Sequence, residues 1–402
     1  MALMSVAEAL QRVLANAEPL PAERAPLLEA HGRVLTSDVA ALRTQPPADV
    51  SAMDGYAVRA ADVANTPARL KLIGEIAAGH AFGGTVGAGE AARIFTGGVV
   101  PPGADTIVIQ ENTRREGESV IITTPAPPKK NVRAGGLDFK QGDVLLQKGR
   151  QLTARDLMLA AAMNHPTLPL PRRPKVAVLA TGDELVAPGS PNDPAQIVYS
   201  NGFALLTMAR TEGADVVDFG IVPDRLEETI AAVRRARMSE VDVLVTSGGA
   251  SVGDYDLVQS AFAAEGMALS FWKVALRPGR PLMHGRLGDM QVLGLPGNPV
   301  SAYVCAVLFL VPLIRRLSGR ADVSLPLETC RLGLDLSAND ERADYMRATL
   351  RPTAGREAVF PFPVQDSSMM APLAQADCLL VREPFAPAAK AGNDCTIIRL
   401  PS

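Results

Sequence analysis

From residue 173 to residue 320, apolar runs of strand length alternate with segments of helical period, and few folds accept that pattern. The strand-like runs are Lys175–Ala180, Asp215–Phe219, Asp242–Thr246, Ser270–Ala275 and Gln291–Leu295. Helical segments fall at about 201–212, 225–237 and 256–265, and a last one starts at Pro299. Strands and helices in such alternation imply a doubly wound parallel sheet covered on both faces. In an open sheet of that kind, ligands bind in the crevice beyond the carboxyl ends of the strands.

Every unusual short motif of this region sits at such an end. Thr181-Gly182-Asp183-Glu184 follows the first strand and Pro223-Asp224 the second. The third is followed by the glycine-rich stretch from Ser247-Gly248-Gly249 through Ser251 to Asp256. Arg277-Pro278-Gly279-Arg280-Pro281 follows the fourth, and Pro296-Gly297-Asn298-Pro299 the fifth. Glycine lets backbone N–H groups approach a ligand closely, and helix N-termini favour oxyanions. Glu184, Asp224 and Asp256 are hard oxygen donors of the kind Mg²⁺ takes, whereas Lys273, Arg277 and Arg280 are cations for an anionic substrate. Together they describe a Mg²⁺-assisted site for a phosphorylated ligand. Each piece also has a plain reading: glycines as turns, Asp224 as the N-cap of the next helix, Asn298 and Pro299 as a helix start, the arginines as solvated loop. Convergence of five loops on one sheet edge favours the functional reading.

The rest of the 402-residue chain reads as further domains, roughly two to four in all at this length. Residues 46–130 form a β-rich insertion, with Gly and Pro every few residues and short strands at Leu70–Ile73, Thr106–Gln110 and Val120–Thr123. Residues 1–45 and 131–172 are expected to make one linking domain, with an N-terminal helix opened by Ser5 and Glu8 and another from Thr153 to about Met163. After the linker HPTLPLPRRP comes the α/β domain, 173–320. Residues 321–402, with strand-like pieces at Cys330–Leu336, Tyr345–Leu350, Cys378–Val381 and Cys395–Leu400, suggest a small C-terminal β-barrel.

Several classes are excluded. A net charge of −3 gives no global pull towards nucleic acid. Cys305, Cys330, Cys378 and Cys395 form no C-x-x-C, and His31, His80, His165 and His284 are scattered, which argues against structural zinc and a disulfide framework. His165 and His284 lack a partner at catalytic spacing. Residues 292–314 carry no formal charge, but Pro296-Gly297-Asn298-Pro299 divides them into a strand and a core helix rather than a membrane span. Glu8 and Arg12 interrupt any signal-peptide run, so the cytoplasm is the expected compartment.

Longer motifs bring a resemblance. Ser51-Ala52-Met53-Asp54-Gly55-Tyr56-Ala57, Phe95-Thr96-Gly97-Gly98, Asn131-Val132-Arg133 with Asp138, and Thr181-Gly182-Asp183-Glu184-Leu185 resemble, in order, segments of the molybdopterin molybdenumtransferase family, which includes bacterial MoeA and the gephyrin E domain. Ser247-Gly248-Gly249 through Asp256, Phe271-Trp272-Lys273 and Gly294-Leu295-Pro296-Gly297-Asn298-Pro299 continue it over essentially the whole chain. The resemblance implies a four-domain homodimer whose α/β domain binds adenylated molybdopterin, with the partner's insertion closing over it. It further implies hydrolysis of the adenylate, transfer of molybdate to the dithiolene and release of AMP.

Carried over by position, Asp54, Thr96, Glu184, Asp224 and Asp256 are the catalytic set, Glu184 and Asp256 the Mg²⁺ ligands. Thr181, Gly182, Asn201, Ser247, Gly248, Gly249, Ser251, Lys273, Arg277, Arg280, Pro296, Gly297, Asn298, Arg347 and Ser368 are the substrate- and anion-binding set. The molybdopterin adenylyltransferase and acceptor molybdoenzymes are the further partners implied. Departures exist: Arg277 and Arg280 stand where lysines are usual, Gly135 and Leu137 replace an Arg and a Glu, Leu257 replaces a Tyr, and Ala371-Pro372 occupies the usual Ser-Ser just after Ser367 and Ser368. The α/β region alone also resembles the adenylyltransferase, but such proteins lack the Asp54 and Thr96 segments. A non-catalytic scaffold of the same fold is the other alternative, and retention of Asp54, Glu184 and Asp256 speaks against it.

Overall fold

The computed structural model describes residues 3–191, 193–248, 257–353 and 355–400. The chain divides into two compact units, one of Arg24–His31 with Ser37–Leu168, the other of Met1–Glu23, Gly32–Thr36 and Pro169–Ser402.

The larger unit carries the α/β layer. Its strands are β1 (Lys175–Thr181), β2 (Asp215–Val222), β3 (Val243–Ser247), β4 (Ala268–Trp272), β5 (Met283–Leu287) and β6 (Met290–Leu295), in the order β2-β1-β3-β6-β5-β4. Helices α1 (Asn201–Thr211), α2 (Leu226–Met238) and α3 (Leu257–Ala264) connect successive strands, and α4 (Pro299–Leu317) follows β6. β1 pairs in parallel with both β2 and β3, and β3 with β6. The sheet is not wholly parallel as expected, because β5 runs antiparallel to both β6 and β4. Its sequence hides it: Gly285 and Arg286 interrupt the apolar run. Gly285 is required there because a Cβ would lie 2.9 Å from the carbonyl oxygen of Ala268 on β4.

The near-continuous apolar strands follow from burial on both faces. Val176, Val178, Val243, Val245 and Leu293 point to one core, with Leu205 of α1 and Val304, Leu310 and Leu313 of α4. Their neighbours Ala177, Leu179, Leu244 and Val292 point to a second core, with Val233 and Ala236 of α2 and Phe262 of α3. Each Val, Leu and Phe among them contributes about 1.5–3 kcal/mol when fully buried. Helix α4 is apolar and long enough to cross a membrane, but its apolar window is 89% buried within the protein. Cys305 lies in that buried stretch.

The N-terminal helix Val6–Leu14 forms as its spacing predicts, Ser5 Oγ accepting from the Glu8 N–H at 3.1 Å. Glu8 pairs with Arg12 at 2.8 Å. Ala9 and Val13 are fully buried in the α/β core, so this helix joins that core rather than a linking domain with residues 131–172.

After α4 come β7 (Leu327–Leu332), β8 (Ala343–Thr353), β9 (Arg356–Pro361), β10 (Cys378–Arg382) and β11 (Asp394–Arg399). Their order β8-β9-β7-β11-β10 closes through pairing of β10 with β8, giving a five-stranded barrel. β9 is the strand that sequence pattern does not single out.

The other unit holds a six-stranded sheet in the order Thr106–Ile109, Gly55–Val58, Glu90–Ile94, Ala68–Ile76, Ser119–Ile122, Thr113–Glu116. Within Gly55–Val58, Tyr56 and Val58 face one core and Ala57 the other. A Cβ on Gly55 would meet the Val108 carbonyl oxygen at 2.0 Å, so the glycine after Asp54 is demanded by strand packing. Helix Ala154–Ala162 has the expected cap, Thr153 and Asp156 exchanging both hydrogen bonds of a capping box.

Candidate functional site

The order β2-β1-β3 places a topological switch between β1 and β3, and a crevice opens at their carboxyl ends. A cavity of about 870 Å³ lies there, within the range of small-molecule sites. Thr181, Glu184, Asn201, Asp224, Ser247, Gly248, Pro296, Gly297, Asn298 and Ser368 all line it, ten of the positions singled out in the sequence.

The local geometry explains the residue types. Thr181 ends β1 with its hydroxyl buried and without a partner among the described residues. Gly182 has φ +151°, and a Cβ there would sit 2.5 Å from a carboxylate oxygen of Glu184, so only glycine leaves that carboxylate its place. Gly248, at φ +98°, passes so close to β1 that a Cβ would meet the Thr181 carbonyl oxygen at 2.6 Å.

The amide of Asn201 donates to Ser247 Oγ at 2.8 Å and to the Gly297 carbonyl at 2.7 Å, tying the start of α1 to the loops after β3 and β6. Ser247 thereby keeps its own hydroxyl proton for a ligand. Asn298 stands at the N-cap of α4 with Pro299 at the first turn, as the pattern predicts. Its side chain does not cap, however. It donates to Ser367 Oγ at 3.0 Å and brings the 366–368 loop to the cavity.

The acidic groups gather on one side. Asp183 Oδ1 accepts from the Asp224 N–H at 3.1 Å. Burial, then the charges of Asp183 and Glu184, hold the Asp224 carboxyl above its ordinary value. Asp224 is not a helix cap, since Arg225 occupies that position for α2. Mutual repulsion of this kind is what a hard dication relieves. No group of three or more His, Cys, Asp or Glu side chains converges as a metal cage among the described residues. Gly249, Ser251 and Asp256 lie outside the described residues.

Three of the expected anion binders sit elsewhere or are engaged. Arg347 is 1% exposed, and its guanidinium donates to the carbonyls of Met369 (2.7 Å), Asp366 (2.9 Å) and Val364 (3.3 Å). It braces the loop that carries Ser368 and has no donor turned to an anion. Arg277 is paired with Asp344 at 2.7 Å and Asp340 at 2.9 Å, where strand Leu276–Arg277 joins β8. Barrel acids thus balance the charge of Arg277. Ser368 Oγ donates to Asp366 Oδ1 at 2.7 Å, although its residue lines the cavity. Lys273 lies over the Trp272 ring at 4.4 Å, and Arg280 is exposed; neither forms an ion pair among the described residues.

Asp54 and Thr96 come together in the other unit. Asp54 Oδ1 accepts from both the Thr96 N–H and its hydroxyl, each at 2.8 Å. These bonds, backbone first, hold the Asp54 carboxyl below its ordinary value; desolvation opposes them, and the charge of Arg93 adds a smaller lowering. A group with a depressed folded pKa keeps its bonds above the unfolded value and loses them as pH falls through the folded one. Thr96→Val removes the hydroxyl bond alone, so the Asp54 pKa is expected to rise towards the ordinary value, read by carboxyl ¹³C titration. An unchanged titration would mean the hydroxyl contributes nothing.

Residues the sequence did not offer also line the cavity: Gln196, Ile197, Val198 and Tyr199, where Ile197–Val198 pairs with Leu185–Val186 as a short parallel rim, and Met370 beside Ser368. The signal available was the apolar tetrad Ile197-Val198-Tyr199 with Leu185, masked by the Pro-rich stretch between them.

Three family models match in succession: "MoeA N-terminal region (domain I and II)" over residues 4–164, "Probable molybdopterin binding domain" over 177–316, and "MoeA C-terminal region (domain IV)" over 329–400. The molybdopterin molybdenumtransferase of Nostoc sp. is 37% identical over 93% of this chain and 88% of its own length. That of Haemophilus influenzae is 34% identical over 94% of each. The chain belongs to the molybdopterin molybdenumtransferase family. A crystal structure of a molybdopterin biosynthesis MoeA protein from Pyrococcus horikosii superposes with a TM-score of 0.84 at 29% identity, covering 100% of both chains. The insertion and barrel are part of that likeness, which a lone α/β domain would lack.

Proposed function

We propose that this member of the family is a transferase of molybdenum cofactor biosynthesis: it hydrolyses adenylated molybdopterin and inserts molybdate into the dithiolene, releasing AMP. The observation that carries the reading is the cavity at the β1–β3 switch that Thr181 and Ser247 line together with Glu184 and Asp224. The hydroxyls donate to the phosphate oxygens of the adenylate. The N-termini of α1 and α4 add favourable dipoles for the same negative charge. Glu184, with Asp256 by resemblance, would hold Mg²⁺, which would neutralise charge developing on the leaving phosphate. Asp224, with its carboxyl raised, accepts a proton from the attacking water. Lys273 and Arg280 are the cations assigned to molybdate.

Purified protein given adenylated molybdopterin should release AMP only with Mg²⁺, and faster with molybdate. Consumption of ATP by molybdopterin with no molybdate-dependent AMP release would favour the adenylyltransferase alternative.

We also place the enzyme in the cytoplasm as a homodimer, receiving its substrate from the adenylyltransferase and passing product to molybdoenzymes. In that dimer Asp54 and Thr96 serve the site of the other subunit. Asp54→Asn and Glu184→Gln proteins, each inactive, should then regain about a quarter of wild-type activity after subunit exchange, because half the dimers are mixed and each has one intact site. No recovery after verified exchange would sink the shared site while leaving the reaction assignment standing.

A further inference from the structure

The Asp54–Thr96 pair lies just beyond the ladder of its sheet. The two strands beside it pair no further than Gly55 with Ile94, so Asp54 precedes one strand and Thr96 follows the other. Asp54 Oδ1 takes both Thr96 bonds, and Oδ2 has no partner among the described residues. One carboxylate oxygen is thus held and the other presented. Arg93 reaches the same place from the next-to-last position of strand Glu90–Ile94. Its guanidinium lies over the Tyr56 ring at 5.2 Å and the Phe95 ring at 4.8 Å. Nη1 donates to the Gly55 carbonyl at 3.0 Å and Nη2 to Gln110 Oε1 at 2.7 Å. The Gln110 N–H donates in turn to the Asp54 carbonyl at 3.1 Å. The fork therefore joins residues 54–55, 93–96 and 109–110, three segments that the sequence keeps apart.

We infer that Arg93 is a positioning residue for Asp54, an inference that rests on the part in the reaction proposed above for Asp54. Both acceptors of the fork are neutral, so neither bond spends the charge of Arg93 on a carboxylate. That charge itself does little, because it lowers the Asp54 carboxyl less than the Thr96 bonds do. Geometry is the larger contribution. A planar fork reaches two acceptors at once while its face stays on the rings, whereas a lysine ammonium is a point charge on a flexible stem. Displacing a reacting group by about 1 Å can cost about a hundred-fold in rate. Loss of the fork frees the residues on either side of the Gly55–Ile94 pair, and the presented oxygen of Asp54 loses its fixed direction.

The test compares full-length Arg93→Lys, which keeps the charge, with Val120→Ala, a core truncation on a strand of the same sheet that bears none of these groups. Arg93→Lys should lower kcat for molybdate-dependent AMP release about ten-fold, with KM for the adenylate within about two-fold of wild type. The Asp54 carboxyl, followed by ¹³C titration, should move up towards its ordinary value as the Thr96 bonds loosen. Val120→Ala should destabilise the sheet and change neither kcat nor the titration. Gln110→Ala removes the second acceptor of the fork from an exposed position. It should repeat both effects in smaller measure, and it decides the matter if Arg93→Lys does not fold. An unmoved Asp54 titration in a folded Arg93→Lys protein would overturn the inference, whatever happens to kcat. Equal changes in Val120→Ala would overturn it too, since packing alone would then suffice. A shifted titration with AMP release unchanged keeps the hold of Arg93 on Asp54 and sinks the part assigned to Asp54 in the reaction. If the wild-type protein releases no AMP, the proposed reaction fails and the titration alone decides the role of Arg93.

Discussion

Glu184→Gln is expected to reduce molybdate-dependent AMP release by about a hundred-fold or more while the protein melts within a few degrees of wild type. The substitution is nearly isosteric and removes one negative charge from a group of three. Glu184 lies where Gly182 leaves room for it, so the amide fits the same space. It lines the cavity and forms no ion pair among the described residues, so little stability depends on its charge. Losing that charge also relieves repulsion at Asp224, whose carboxyl should fall towards its ordinary value and become a weaker base. Raising Mg²⁺ should recover part of the lost rate if the lesion is in metal affinity. AMP release at the wild-type rate under limiting Mg²⁺ would remove Glu184 from the catalytic set.

Arg347→Met is expected to act in the opposite manner, costing about 1–3 kcal/mol of stability through loss of a buried guanidinium and its carbonyl hydrogen bonds. The arginine is among the largest fully buried side chains in the protein. Its removal orphans the carbonyls of Val364, Asp366 and Met369, and Gln365 Oε1 loses a donor at 3.4 Å. Burial lowers the Arg347 pKa only against a value so high that the group stays charged at neutral pH. Thermal melting should show the loss, and hydrogen exchange should rise first in residues 364–369. Because that loop brings Ser367 to Asn298 and Ser368 to the cavity, activity should fall as a consequence. A variant of unchanged stability whose molybdate requirement alone rises would return Arg347 to the role that family position implies.

The contrast between these residues marks what a sequence can and cannot carry. Apolar alternation over 173–320 determined the α/β layer, because strands buried on both faces must be apolar at every position. The sheet rule then put the loops after β1, β2, β3 and β6 at one crevice, and ten singled-out positions line one cavity there. The Asp54–Thr96 pair was legible only through resemblance, since 42 residues separate its members and neither has a local signal. β5 was not legible, because a strand made of Met283-His284-Gly285-Arg286-Leu287 lacks the pattern that burial on two faces produces.

Charge type was read correctly and charge balance was not. An arginine in sequence is a cation, and whether it meets an anion from solvent depends on what the fold sets against it. Arg277 finds Asp340 and Asp344 more than 60 residues on, and Arg347 finds backbone carbonyls of a loop whose course no periodicity predicts. Local pattern encodes the faces of helices and strands, because burial repeats with their period. Partners of a single polar side chain have no period, and only the tertiary structure decides them.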